Sequence, residues 1–280
     1  MDKHPKHSPI ARLLGGLTLI ALVPFTPGSV QAEADEAMDI LLGMTDFLAG
    51  QPRFSVAVQS SYDAVQPDGQ KIEFAETRRL LLARPDHLRV ELEESDGLHH
   101  QLLYDGSQIS LATPQSRVYA QVNRPGTVDD AVRFFIRDLD MRLPFAVLLV
   151  SSASDDLRRR TRQIDYVEET RLAGVTVHHL AGRTDSVDYQ VWVRDGDTPL
   201  PVRLVLTYPD ADGQPQFRAD FRDWDLAPAL PDDAFVFTPP ADARQISFAS
   251  ELPVSVMPAP DGATPPAESP AGGERTGEQP

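Results

Sequence analysis

Two histidine pairs, His99-His100 and His178-His179, are the first residues whose type and spacing suggest chemistry. Imidazoles hold metal ions and move protons near neutral pH. Each pair falls in a stretch with the alternation of a β-strand, where neighbouring side chains point to opposite faces. Neither pair can chelate one metal alone; a shared site needs one histidine from each pair. Adjacent acids at Glu93-Glu94, Asp129-Asp130 and Asp155-Asp156 offer general acid–base groups. Their settings read instead as surface, turn, or the first turn of a helix, where the dipole favours acids. DADG at 210–213 starts like a calcium loop without the later ligands, so it reads as a turn. No G-x-S-x-G, H-E-x-x-H, P-loop or G-x-G-x-x-G motif is present. The chain also has no cysteine. That excludes a thiolate nucleophile, thiolate metal ligands, disulfides and a lipidated N-terminal cysteine. Neither a metal nor a cofactor is expected.

The remaining candidates are cationic and aromatic. RRRTR at 158–162 is the one dense basic run. It reads as a solvated strand or loop edge, with contact to a lipid phosphate or an acidic partner as the alternative. Trp192 and Trp224 sit on charge-rich strands, covering a sheet edge or lining a pocket.

The elements around these residues begin with a leader. Lys3, Lys6 and Arg12 precede an apolar stretch from Leu13 to Phe25, and Val30-Gln31-Ala32 supplies small residues for cleavage. This is the layout of a secretory signal peptide, with the cut expected after Ala32. The apolar stretch is too short and broken for a comfortable membrane span. The full chain carries a net charge of −16. Residues 1–32 hold three basic side chains and one acidic one, so cleavage makes the balance more negative still. Nucleic acid and anionic lipid surfaces are thereby excluded as general partners. A Pro-rich acidic tail over 250–280 cannot bury enough apolar surface to offset its ordering entropy and is expected to be disordered. One folded domain of residues 33–249 lies between.

That domain opens with a helix whose Ala37, Ile40, Leu41, Met44, Phe47 and Leu48 share one face, with Asp35 as its N-cap and Gly50 at its end. Strand patterns follow at 54–62, 87–94, 109–111, 118–122, 175–182, 187–193, 202–208 and 216–224. Asp-Gly pairs at 68–69, 96–97, 105–106, 195–196 and 212–213 supply hairpin turns. Short turns between alternating strands imply a large antiparallel sheet with one apolar face. The interruption is TVDDAVRFFIRDLDM at 127–141, a helix with Thr127 and Asp130 as a capping pair. The stretch 144–150 is apolar all round and reads as a helix that must be enclosed, as core or as a lid.

LLYDGSQISLATPQSRVYAQV at 102–122 resembles the Y-D-G, strand, Pro-turn, strand segment of exported proteins similar to the LolA/LolB lipoprotein carriers. The likeness continues in TVDDAV at 127–132, in YQVWVRDGDTPLPVRLVLTY at 189–208 and in FVFTPPADARQISF at 235–248. It is nearest to an uncharacterised exported branch. The resemblance implies an α+β, mostly β fold: a strongly curved antiparallel sheet forming a half-barrel around a few helices, with an apolar cavity. It implies a periplasmic location and, as in the carriers, lipid or lipoprotein acyl chains as the ligand. Phe54, Val56, Val58, Leu88, Val90 and Leu92 are then expected on the cavity wall. Val132, Phe135, Ile136, Phe145, Leu148 and Leu149 are expected in a lid over 128–150.

The first functional reading is a monomeric, non-catalytic carrier or chaperone, with envelope proteins as further partners and no membrane span after cleavage. The second is an envelope scaffold or interaction module of the same fold, tethered by the tail. An esterase or metal-dependent hydrolase ranks third, because no motif nominates its catalytic residue.

Overall fold

The computed structural model describes residues 27–139 and 143–248. The expected tail and most of the expected leader lie outside these residues.

Helix α1 (Pro27–Ala49) leads into five antiparallel strands, β1 (Arg53–Val65), β2 (Lys71–Ala83), β3 (His87–Glu94), β4 (His99–Asp105) and β5 (Gln108–Thr113), and then β6 (Val118–Asn123). Helices α2 (Val128–Arg133) and α3 (Ala153–Arg160) follow, and β7 (Gln163–Leu172), β8 (Val175–Arg183), β9 (Asp188–Arg194), β10 (Pro201–Thr207) and β11 (Gln216–Asp225) complete the main sheet. A two-residue strand, β12 (Arg244–Gln245), joins it late. The order across the sheet is β12-β6-β5-β4-β3-β2-β1-β11-β10-β9-β8-β7. The end strands do not meet, so the sheet is an open, curved half-barrel wrapped around the helices.

Turn chemistry sets this meander. At Asp105-Gly106 the glycine takes φ 86°, while the Asp105 carboxylate accepts hydrogen bonds from the backbone N–H of Ser107 and Gln108 at 2.9 and 2.8 Å. A Cβ on Gly106 would also meet Asp86 Oδ2 at 2.8 Å. Local demand and tertiary crowding thus select the same residue.

Several elements differ from their sequence patterns. Asp35 does not cap α1, because the helix already runs from Pro27 and the expected cut after Ala32 falls within it. The capping box of α2 forms as expected, with Thr127 and Asp130 bonding reciprocally. The helix does not continue to residue 141, however: it widens into a π-turn at Phe134–Asp138. Residues 144–150 make only a 3-10 turn at Ala146–Leu148. Seven apolar residues between Leu143 and Ser151 give an α-helix too few internal bonds to hold itself, so burial of Phe145, Ala146, Leu148 and Leu149 dictates the path. Only Arg162 of the basic run sits at a strand edge, in the bend before β7. Arg158, Arg159 and Arg160 form the last turn of α3, where cations complement the helix dipole.

After β11 the chain crosses the outer face of the sheet as a strap. Arg89 donates to the Ala234 carbonyl at 3.2 Å, Phe235 meets His87 edge-on, and Phe237 lies against Tyr119. Pairing of β12 in parallel with β6 covers that sheet edge, which otherwise presents unpaired backbone groups. Phe248 then packs on Phe134 and Phe135, on the far side of the edge.

Candidate functional site

Cross-strand register builds the inner face in rows. Phe54, Leu82, Leu88, Tyr104, Ile109 and Val122 are successive partners from β1 to β6. Val56, Leu80, Val90, Leu102, Leu111 and Ala120 form the next row. On the other flank Val58 faces Phe221, and Tyr62 faces Phe217, which faces Leu206. One irregularity adds an aromatic: the register of β1 with β11 slips near Ser55, and Asp223 takes φ 53°. This bulge carries Trp224 to the inner side, 5.4 Å from Phe54 and 6.1 Å from Phe221, with its N–H donating to the Pro201 carbonyl.

The cover over this wall comes from α1, α2, the π-turn, residues 143–150 and α3. Phe145 is its central contact, 6.2 Å from Phe217 and 6.1 Å edge-on to Phe221. Wall and cover residues belong to one buried cluster. Of the side chains expected at the site, Phe54, Val56, Val58, Leu88, Leu92, Val132, Phe135, Phe145, Leu148 and Leu149 are buried, and Val90 is half-buried against the cluster. Ile136 lies outside it, 43% exposed. The π-turn carries more residues per turn than an α-helix, so the 3.6-residue period that placed Ile136 inward fails after Phe134. The inner face is thus occupied by the protein's own side chains.

A band of polar groups crosses this apolar face and was not read from the sequence. Arg78 sits opposite Val58 and Leu92; Glu76 sits opposite Ser60 and Glu94. Arg78 is ion-paired to Glu76 and donates to Ser60 Oγ at 2.9 Å, and Ser60 donates to Glu76 Oε1 at 3.0 Å. Farther along, His100 bridges Glu94 Oε1 and Thr113 Oγ1, each at 3.0 Å. Glu76 is almost fully buried, its side chain 3% exposed, and its Oε2 has no hydrogen-bond partner among the described residues. Burial pushes the Arg78 guanidinium below its ordinary pKa, while the Glu76 carboxylate opposes that shift. Arg78 Cζ lies 5.3 Å from the Phe145 ring centre, so the cover rests on this band as well as on the apolar wall. Beyond the band the face becomes apolar again at Tyr62 and Phe74, stacked 5.8 Å apart, and at Ile72; Phe74 and Ile72 are each 40% exposed.

The remaining candidates separate onto different surfaces. His178 bonds Tyr166 and Asp195, whereas His179 stacks on Trp192 at 4.1 Å and bonds Gln190. Trp192 also lies near Arg203, which is paired with Asp220 on the outer face. Among the described residues no three His, Asp or Glu side chains converge as a metal site, and no helix is long and apolar enough to cross a membrane. An outer groove of about 610 Å³ is bordered mainly by polar residues such as Gln59, Thr77, Glu93 and Asp220, with Ala75 and Val205 among them, and Ser60, Glu76 and Glu94 of the band also border it.

Asp63, on the outer face of β1, ties the hairpin to β11. Burial pushes its carboxyl up, but Arg218, the backbone N–H of Gln216 and Lys71 together hold it below the ordinary value. A carboxyl depressed in the folded state contributes stability that is complete above its unfolded pKa, about 3.9, and is lost as pH falls through the folded value. Asp63→Asn is expected to lower stability at pH 7 by about 1–2 kcal/mol, discounted because Arg218 is partly solvated. Denaturant titrations at pH 7 and below pH 4 check this: the difference between variant and parent should shrink on acidification.

Among curated proteins none matches this sequence. The chain is similar to several solved structures. An uncharacterized conserved protein from Thermus thermophilus is 12% identical, with 76% of this chain and 99% of that one covered and a TM-score of 0.44. LprF from Mycobacterium bovis is 12% identical over 76% of this chain and 99% of that one, with a TM-score of 0.40. The LolA superfamily protein NE2245 from Nitrosomonas europaea is 12% identical over 73% and 98%, with a TM-score of 0.34. Residues 37–249, the whole of the half-barrel with its strap, match the family described as predicted periplasmic protein, DUF2092. The chain belongs to that family, and the protein is periplasmic.

Proposed function

We propose that this protein binds acyl chains of a lipid or lipoprotein on the inner face of its half-barrel, as a non-catalytic carrier or chaperone. The observation that carries this reading is the contrast between wall and cover. The wall is a continuous hydrogen-bonded sheet with apolar rows. The central part of the cover, residues 143–150, is tied internally by three short-range bonds, Ala146 to Leu143, Leu148 to Phe145 and Leu149 to Ala146. It holds its place by burying Phe145, Leu148 and Leu149.

The magnitudes permit exchange. Burying acyl chain contributes about 0.8 kcal/mol per methylene. Undocking Phe145, Leu148 and Leu149 together costs about 7–15 kcal/mol, so on the order of ten to twenty methylenes, the length of one acyl chain, offset it. The wall is then the binding surface, residues 143–150 move aside, and the ligand replaces the cover's contacts. No catalytic group is needed.

The test is to purify the mature protein from the periplasm, analyse its organic extract by mass spectrometry, and titrate the delipidated protein with a fluorescent fatty acid. Co-purifying lipid and saturable uptake are expected. Absence of both would sink the carrier reading and leave the envelope scaffold, a half-barrel filled permanently by its own cover.

A further inference from the structure

The polar band carries an inference that rests on acyl binding and goes beyond it. Four features of the band bear on what it would recognise. It is interior: Ser60 and Thr113 are buried, and the Glu76 side chain is 3% exposed. It is placed at a boundary, with the apolar rows of Val56, Leu80 and Val90 on one side and the half-exposed Tyr62, Phe74 and Ile72 on the other. It has an unmet demand, since Glu76 Oε2 is buried without a donor among the described residues. Finally, its charge is two carboxylates, Glu76 and Glu94, against one guanidinium, Arg78, and one imidazole, His100. Even with His100 protonated the band carries no net positive charge.

A buried acceptor without a donor costs about 1–3 kcal/mol, and more when charged. A ligand that brings a donor to that oxygen recovers this, and a cationic donor recovers most. An acyl chain lying along the apolar rows places its polar end at the band. Displacing Phe145, which covers Arg78, uncovers the band in the same movement.

We propose that the band recognises a lipid headgroup carrying a primary ammonium, with Glu76 Oε2 as the acceptor of its N–H and the Arg78 guanidinium beside it for the headgroup phosphate. Phosphatidylethanolamine has this chemistry; phosphatidylglycerol, anionic and without an amine, does not.

The full-length mature protein, delipidated, is offered an equimolar mixture of phosphatidylethanolamine and phosphatidylglycerol with identical acyl chains, and the bound lipids are quantified by mass spectrometry. Enrichment of phosphatidylethanolamine of about tenfold is expected, corresponding to about 1.4 kcal/mol. Glu76→Gln should bring the ratio near one. A second arm leaves the protein intact and acetylates the ethanolamine nitrogen of the lipid, which should abolish the preference whether or not the Glu76 variant folds. Soluble glycerophosphoethanolamine in a third arm should not displace the lipid; if it does, the site takes free amines and the lipid assignment is overturned. Equal binding of both lipids, or a preference for phosphatidylglycerol, overturns the headgroup assignment and leaves acyl binding standing. No bound lipid of either kind overturns both.

Discussion

Replacing Phe145 with alanine will accelerate uptake of a fluorescent fatty acid by about a hundredfold to a few thousandfold and leave the global melting transition close to that of the parent. Phe145 sits at the junction of the cover with Phe217, Phe221 and Arg78. Truncating a buried phenylalanine removes about 3–5 kcal/mol of contact. Here that loss falls on a segment closed by a single 3-10 turn, so it weakens docking of the cover rather than pairing of the sheet. Each 1.4 kcal/mol taken from docking raises the open population tenfold. Stopped-flow uptake beside calorimetry separates the two effects. A large drop in melting temperature with unchanged uptake would show that 143–150 is fixed core.

Replacing Phe54 with alanine should do the reverse. Phe54 is 1% exposed, pairs in register with Leu82 and packs on Trp224. It belongs to β1, which hydrogen-bonds β2 on one side and β11 on the other and so joins the two halves of the sheet. The loss of about 3–5 kcal/mol is then global. For a domain of this size that corresponds to a melting temperature lower by roughly 10 °C. Differential scanning calorimetry checks it, and acyl uptake per folded molecule should weaken only through the smaller contact area. If Phe145→Ala and Phe54→Ala change melting and uptake alike, wall and cover are one body.

Much of the wall was legible because strand alternation is local. Phe54, Val56 and Val58 announce their common face, and the Asp-Gly pairs mark the hairpins between strands. Strand β2 was missed, since RRLLLA at 78–83 breaks apparent alternation: Leu81 is apolar on the outer face, and Glu76 and Arg78 are charged on the inner one. β7 was missed for a related reason. It is a sheet edge with largely exposed side chains, so burial imposes little pattern. Both errors arise where tertiary setting overrides the period-2 rule.

The cover was harder. A seven-residue apolar stretch is equally consistent with helix, turn or strand, and the contacts that decide it come from far along the chain, such as Phe217 and Phe221, 72 and 76 positions after Phe145. The polar band was invisible for the same reason. Glu76 with Ser60, or His100 with Thr113, become partners only through register. Their sequence signal is a charge at an inward position, and that parity is known only once the strand is recognised. Trp224 shows the limit most simply, because its face depends on one bulge residue, Asp223.

The most direct measurement uses a fatty acid bearing a diazirine along its chain, photolysed in complex with the delipidated protein and mapped by peptide mass spectrometry. Labels are expected on the inner-face segments 54–58, 80–82 and 88–92 and on the cover at 145–149. Labels confined to the outer face, or none above the level of the unphotolysed control, would contradict acyl binding there.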